Sequence, residues 1–304
     1  MLAFISHPSC LEHDVGTLHP ECRQRLEVID NQLLMSGLDF VIRRHDAPAI
    51  GRDALERVHD PNYVQRVYET APQTGSVWVD GDTLMSPGTL GAAERAAGAG
   101  VMAVDLVMNG EASAAFCAVR PPGHHAEQGT AMGFCLFDNI AVAAGHAMAV
   151  HGLERVAIVD FDAHHGNGTE EIFKNDKRVL FCSSFQHPFY PFTGHGSDTD
   201  NLVDVPLSAG ADGAAFRAAI TDHWLPALER FRPQFLFISA GFDGHVMDEM
   251  SGLALTESDF AWITRELHRV AQKHSNGRIV SILEGGYDLS ALPRCVVAHL
   301  KELL

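Results

Sequence analysis

The residues best suited to chemistry in this 304-residue chain fall in four short clusters, each directly after an apolar run. Asp160-Phe161-Asp162-Ala163-His164-His165 sets two acids and two imidazoles immediately behind Val156-Ala157-Ile158-Val159. In extended backbone alternate residues share a face, so Asp160, Asp162 and His164 can point the same way and form half of a metal site. A solvated acidic turn is the competing interpretation. It must explain four ionisable groups leaving an apolar strand, where burial is costly without a cation or mutual pairing. The run Phe235–Ser239 leads in the same manner into Ala240-Gly241-Phe242-Asp243-Gly244-His245, which adds a third acid. His124 and His125 stand in a loop framed by Pro122 and Gly123, and tandem imidazoles suit proton transfer near neutral pH. Tyr287 follows Glu284-Gly285-Gly286 and, taken alone, reads equally well as an ordinary half-buried phenol.

Clusters so far apart in sequence need a scaffold that brings strand ends together. Eight runs, at 2–6, 39–43, 114–119, 155–161, 178–184, 201–206, 234–240 and 278–283, are largely apolar and continuous rather than alternating. That is the pattern of strands covered on both faces, as in a parallel sheet flanked by helices. Helical patterns lie between them. Segment 21–36 carries Leu26, Ile29, Leu33 and Leu34 and stops at Gly37. Segment 257–273 lines up Phe260, Ile263, Leu267 and Val270, opens on a Thr256/Asp259 capping box and closes at Asn276-Gly277. The Gly/Ala-rich stretch 88–108 is expected to pack closely on its neighbours. With no repeat, low-complexity tract or dividing linker, residues 1–304 read as one doubly wound α/β domain. In such a domain the binding crevice lies beyond the carboxyl ends of the strands, where the reactive clusters stand.

Composition narrows the function further. Thirty-nine acidic against 22 strongly basic residues give a formal charge of −17, a field that repels nucleic acid. A hydrophobic fraction of 46% with 20% charged residues is globular composition and excludes disordered and fibrous classes. No apolar stretch is long enough to span a bilayer and the N-terminus lacks the features of a signal peptide, so a soluble, cytoplasmic protein without a membrane partner is expected. The six cysteines form no CxxC pair or framework spacing and read as free, buried thiols. Of 18 histidines, only His124, His125 and His164, with His165 and His245 beside them, carry a chemical assignment; the rest read as surface or packing residues.

Five segments resemble the histone deacetylase family, in order and across most of the chain: RPPGHHA at 120–126, MGFCLFDN at 132–139, DFDAHHGNG at 160–168, SAGFDGH at 239–245 and LEGGYD at 283–288. The resemblance, which extends to acetylpolyamine amidohydrolases and bacterial deacetylase-like amidohydrolases, implies the arginase-deacetylase fold with eight parallel strands. It implies Asp162, His164 and Asp243 as ligands of one catalytic Zn²⁺, His125 as general base and acid, and His124 as an electrostatic partner held by Asp160. Tyr287 would donate to the developing oxyanion. Asn167 stands where one branch of the family carries Asp, which is similar to the class II pattern, as is HPE at 19–21; an amide there stabilises the His125 imidazolium less than a carboxylate. A structural K⁺ is implied at Asp160, Asp162, His164 and Ser183.

For substrate, the resemblance makes Phe134 and Tyr190 walls of a narrow tunnel, with Gly133 nearby and Asp82, close to Asp80, as an acid on the rim. Tyr190 replaces the more usual Phe, and Phe185 replaces a frequent His without an assigned consequence. The implied reaction is zinc-dependent hydrolysis of N-acetyl amides, with acetylated lysine side chains or small acetylated amines such as acetylpolyamines as partners. Two remote alternatives are a catalytically silent binder of acetylated ligands and a binuclear manganese ureohydrolase. Silence would be favoured by loss of Tyr287 or a zinc ligand. A second metal ion would want acids where His165-Gly166 and Gly244-His245 stand.

Overall fold

The computed structural model describes residues 1–194 and 199–304. Its strands are β1 Leu2–Ser6, β2 Ile42–Asp46, β3 Val77–Trp78, β4 Leu84–Met85, β5 Ala115–Cys117, β6 Val156–Asp160, β7 Val179–Gln186, β8 Leu202–Leu207, β9 Phe235–Ala240 and β10 Ile279–Leu283. Except for the small antiparallel pair β3–β4, they form one parallel sheet in the order β2-β1-β5-β10-β9-β6-β7-β8. The apolar runs thus map onto the eight sheet strands, and their continuity has the expected cause. β5, β6, β7, β9 and β10 are buried along their whole length, while the edge strand β2 exposes most of its residues.

One boundary differs. The run at 39–43 is not the strand: Leu38–Phe40 form a 3-10 turn and β2 begins at Ile42. Gly37 takes a left-handed φ of 75° and caps the preceding helix, so the chain must turn before it can extend. Phe40 is 89% exposed, so its apolar character did not signal burial.

The helices are α1 Gln24–Ser36, α2 Arg52–Leu55, α3 Pro61–Thr70, α4 Thr89–Met108, α5 Asn139–His151, α6 Asn167–Phe173, α7 Gly213–Ala219, α8 Leu225–Phe231, α9 Glu257–His274 and α10 Ala291–Leu303. The capping box at Thr256 and Asp259 starts α9. Along α4 the small residues Ala92, Ala93, Ala96, Ala97 and Gly100 are buried, and a Cβ on Gly100 would press on Ala143 of α5 and Ile282 of β10. Close approach of α4 is what its composition predicts.

The strand order positions the site. The chain reaches β5, leaves for β6, β7 and β8, and returns only later to fill the gap with β9 and β10. The four strands followed by reactive residues, β5, β10, β9 and β6, are therefore consecutive neighbours at the centre of the sheet. Their carboxyl ends open on one crevice, at the place where the winding reverses.

Candidate active site

Past Asp160 the chain is not extended. Asp160 Oδ1 accepts from Asp162 N at 3.0 Å, and Asp162 Oδ1 accepts from His164 N at 2.8 Å. These two successive turns, rather than strand alternation, bring Asp162 and His164 to one side. From β9, Asp243 Oδ1 accepts from Ala163 N at 2.8 Å, and its Oδ2 lies 3.0 Å from His164 Nδ1. Asp162 Oδ1 lies at the same 3.0 Å from that nitrogen.

The electrostatics of this trio demand positive charge at its centre. Burial works against an imidazolium, yet Asp243 and Asp162 push His164 up to about 10. Burial also raises Asp243 to about 7, helped by the neighbouring Asp162. The donor atoms of the three lie within 4.8 Å of one another. Two carboxylates and an imidazole that can turn neutral suit a divalent ion such as Zn²⁺.

The tandem histidines come from the loop after β5, their ring centroids 4.1 Å apart. His124 Nδ1 lies 2.8 Å from Asp160 Oδ2, and its Nε2 lies 3.8 Å from Asp162 Oδ2. Burial opposes its charge, but Asp160 and Asp162 hold it well above the ordinary histidine range. His125 Nδ1 lies 2.7 Å from Asn167 Oδ1 at the start of α6. Asn167 Nδ2 donates to Glu127 Oε1 at 3.0 Å, which orients the amide so that Oδ1 accepts the His125 Nδ1–H. The free lone pair of His125 is then on Nε2. Burial, then His124 and His164, keep His125 well below the ordinary range. Two adjacent imidazoles are thus driven apart, one cationic and one a neutral base.

A pocket of about 330 Å³ opens above this machinery, lined by His125, His164 and Tyr287 together with Asp82, Gly133, Phe134 and Tyr190. The expected site residues therefore converge. Gly133 has a φ of 57°, and a Cβ there would collide with the His125 ring. Phe134 meets Tyr287 edge-on at 6.1 Å, and Tyr190 meets His125 edge-on at 5.3 Å. Asp82 Oδ1 accepts from Gly133 N at 3.0 Å, and burial, then the nearby Asp82 charge, raises the Tyr190 phenol. Loss of hydration raises the Tyr287 phenol while Arg25 lowers it, and the net position is well above its ordinary value, so it is a neutral donor at pH 7.

The remaining histidines of the motifs point elsewhere. His165 lies between Ser183 Oγ at 3.0 Å and Glu170 Oε2 at 2.6 Å, with Phe185 packed 4.6 Å from its ring. Ser183 is in register with Asp160 on the neighbouring strand. His245 accepts from Met247 N at 3.1 Å and lies 3.4 Å from Glu257.

Several residues that build the site carry no signal in the sequence pattern. Phe189 stacks on the His164 ring at 5.3 Å, and Glu249 and Met250 line the pocket. Glu284 Oε2 accepts from Gly123 N at 2.7 Å and His124 N at 3.1 Å, tying the end of β10 to the histidine loop. Arg25 donates to Gly286 O at 2.7 Å and lies 4.8 Å from the centroid of the Tyr287 ring. Glu21 accepts from Arg25 at 3.1 Å and from Arg120 at 2.6 Å, pairing with two fully buried guanidiniums. Asp248 Oδ2 accepts from Tyr287 N at 2.6 Å and Asp288 N at 3.0 Å. LEGGYD and HPE contain two of these residues, but only the fold reveals what they hold.

A parallel sheet whose switch point gathers carboxylates, a neutral imidazole and a phenol around one pocket defines the class, a hydrolase of the deacetylase and amidohydrolase type. The chain belongs to the histone deacetylase family: the model of the Histone deacetylase domain matches residues 19–303. It is 39% identical over 299 residues to a "Probable deacetylase" of Archaeoglobus fulgidus, covering 95% of this chain and 82% of that protein. It is 38% identical over 291 residues to a "Histone deacetylase-like amidohydrolase" of Pseudomonas aeruginosa, covering 93% and 76%. Among solved structures, the HDA15 HD domain superposes with a TM-score of 0.93 at 34% identity, over 99% of this chain and 87% of that one. Among the described residues no helix is long and apolar enough to cross a membrane.

Proposed function

We propose that the protein is a zinc-dependent deacetylase that hydrolyses N-acetyl amides, foremost acetyl-lysine in proteins or peptides, to acetate and the free amine. The observation that carries this reading is that His125, His164 and Tyr287 line one pocket while Asp162 and Asp243 converge on His164 beneath it. Asp162, His164 and Asp243 would hold the ion, which when bound acidifies a water and polarises an acetyl carbonyl. His125, its Nδ1–H committed to Asn167, takes the water's proton at Nε2 and delivers it to the departing amine, typically worth about 10²–10⁴ in rate. Cationic His124, fixed by Asp160, offsets negative charge gathering beside it. Tyr287 donates to the carbonyl oxygen as it becomes an oxyanion. Phe134, Phe189 and Tyr190 pack along the aliphatic arm, and the acidic surface draws a cationic substrate to the mouth. A structural K⁺ would draw on Asp160, Asp162, His164 and Ser183. Six free thiols suit the reducing cytoplasm.

Zinc-loaded enzyme is expected to release acetate, chelator-stripped enzyme to lose that activity, and zinc to restore it. Tyr287→Phe should lower kcat by about 10²–10³ with zinc content unchanged, and His125→Ala by at least about 10². Full turnover in both variants, or in metal-free protein, contradicts the mechanism.

A second reading, small acetylated amines, is favoured by Glu249. Its exposed side chain lines the pocket and adds a second carboxylate to that of Asp82, which already accepts from Gly133 N. A distal ammonium is its natural partner. The discriminating measurement is kcat/KM on an acetyl-lysine peptide against N-acetylputrescine and N-acetylspermidine. A tenfold preference, about 1.4 kcal/mol in transition-state binding, decides between them. If the amines win, Glu249→Gln should raise KM for them and leave the peptide unchanged.

A further inference from the structure

Away from the strand ends, α4 and α5 meet at a second convergence of donors. His146 Nε2 and His151 Nε2 lie 2.8 and 2.7 Å from the same oxygen, Asp105 Oδ1. The donor atoms of the three residues all lie within 4.8 Å of one another. The two rings stand at 75° with centroids 5.6 Å apart, so their nitrogens aim at one point instead of stacking. The His146 side chain is 10% exposed and that of Asp105 45% exposed, so the cluster is anchored in the helix contact yet reachable from solvent. None of the three lines the active-site pocket.

We propose that Asp105, His146 and His151 form a binding site for a divalent first-row transition ion, with Zn²⁺ as the reference ligand, separate from the Asp162–His164–Asp243 cluster. Two imidazoles and one carboxylate are a donor set preferred by Zn²⁺, Ni²⁺ and Cu²⁺ over Mg²⁺ and Ca²⁺, which take oxygen ligands. Three protein ligands leave a position for water, as fits a site at the surface. In the metal-free arrangement each ring donates an Nε2 proton to Asp105. Arg57 Nη1, 3.1 Å from His146 Nδ1, donates to that nitrogen and holds the tautomer. Metal binding needs the Nε2 lone pairs, so the proton of each ring moves to Nδ1 and Arg57 must swing away. Arg57 is thus a built-in competitor that weakens the site without abolishing it. The ion would link α4 to α5 close to the C-terminal end of each helix.

The test compares the full-length protein with Asp105→Asn, His151→Ala and Arg57→Ala by Zn²⁺ titration calorimetry and by metal content after gel filtration. Reading the difference between variants makes the result independent of what the Asp162 cluster binds. The parent should bind one equivalent more than Asp105→Asn and His151→Ala, and its thermal midpoint should rise with free Zn²⁺ where theirs does not. Arg57→Ala should bind that equivalent several-fold more tightly. Acetate release should be the same in all four proteins, which also reports that the variants fold. The proposal is overturned if neither the parent nor Arg57→Ala binds the extra equivalent at millimolar Zn²⁺, or if both ligand variants retain it.

Discussion

Asn167 governs the His125 ring through the hydrogen bond of 2.7 Å between its Oδ1 and Nδ1 of that ring. A neutral amide fixes the tautomer but gives the imidazolium only a dipole, and burial with two imidazole neighbours already holds this ring below its ordinary range. Replacing the amide with a carboxylate of the same shape adds a full negative charge at the same place. Asn167→Asp should therefore move the acidic limb of the pH profile of kcat/KM upward by roughly one unit or more. An unmoved limb would show that the limb reports some other group. At this scale the legible residues were those with rare chemistry in tight motifs, such as Asp162 and His164, while Tyr287 gained meaning only from the resemblance of LEGGYD. Glu21, Arg25 and Glu284 were not legible, because their value lies in partners far along the chain: Glu284 reaches Gly123, and Arg25 reaches Gly286.

Among elements, the ends of β5, β10, β9 and β6 must approach so closely that backbone stands where side chains otherwise would. Gly285, just past β10, donates its N–H to Asp162 Oδ2 at 2.8 Å, and a Cβ on it would collide with carboxylate oxygens of both Asp162 and Asp243. Those atoms belong to the donor cluster and cannot retreat without opening it. Gly285→Ala should weaken zinc binding at least about tenfold, a loss of about 1.4 kcal/mol, with activity partly recovered at high zinc, as competition with a chelator would measure. Unchanged zinc affinity would mean that the loop yields and the carboxylates do not. The sheet was readable from the sequence because central parallel strands are apolar on both faces. β2 was displaced because an edge strand keeps polar residues, and its true sequence, Ile42-Arg43-Arg44-His45-Asp46, resembles a surface loop. β3 and β4, two residues each, are too short to leave any period.

For the molecule as a whole, the charge of −17 and the wealth of histidine act on stability. As pH falls toward the isoelectric point, near 5.4, self-repulsion relaxes and should favour the fold. Two buried histidines oppose this. His299 lies 2.6 Å from Thr264 Oγ1, which donates to Phe260 O and so accepts from Nδ1; Nε2 then accepts from Ser281 Oγ at 2.9 Å. His59 donates from Nδ1 to Glu127 O at 2.9 Å and accepts at Nε2 from Asp138 N at 2.9 Å. Each ring is locked as a neutral donor and acceptor, and a second proton would face a donor. Burial lowers His299 to about 3 and His59 to about 4 from an ordinary 6.5. Above pH 6.5 neither the folded nor the unfolded state protonates these rings. Below it the unfolded chain takes up two protons that the fold refuses, so stability is lost as pH falls toward 4. By pH 5 the loss is about 2 kcal/mol for each ring, and about 4 together. In His299→Gln, which keeps a donor and an acceptor but cannot titrate, the slope of unfolding free energy between pH 5 and 6 should fall by up to about 1.4 kcal/mol per pH unit. Urea unfolding of both proteins across that range measures the slope directly. Parallel curves would mean that the fold accommodates a charged His299 and that acid sensitivity arises from the carboxylates instead.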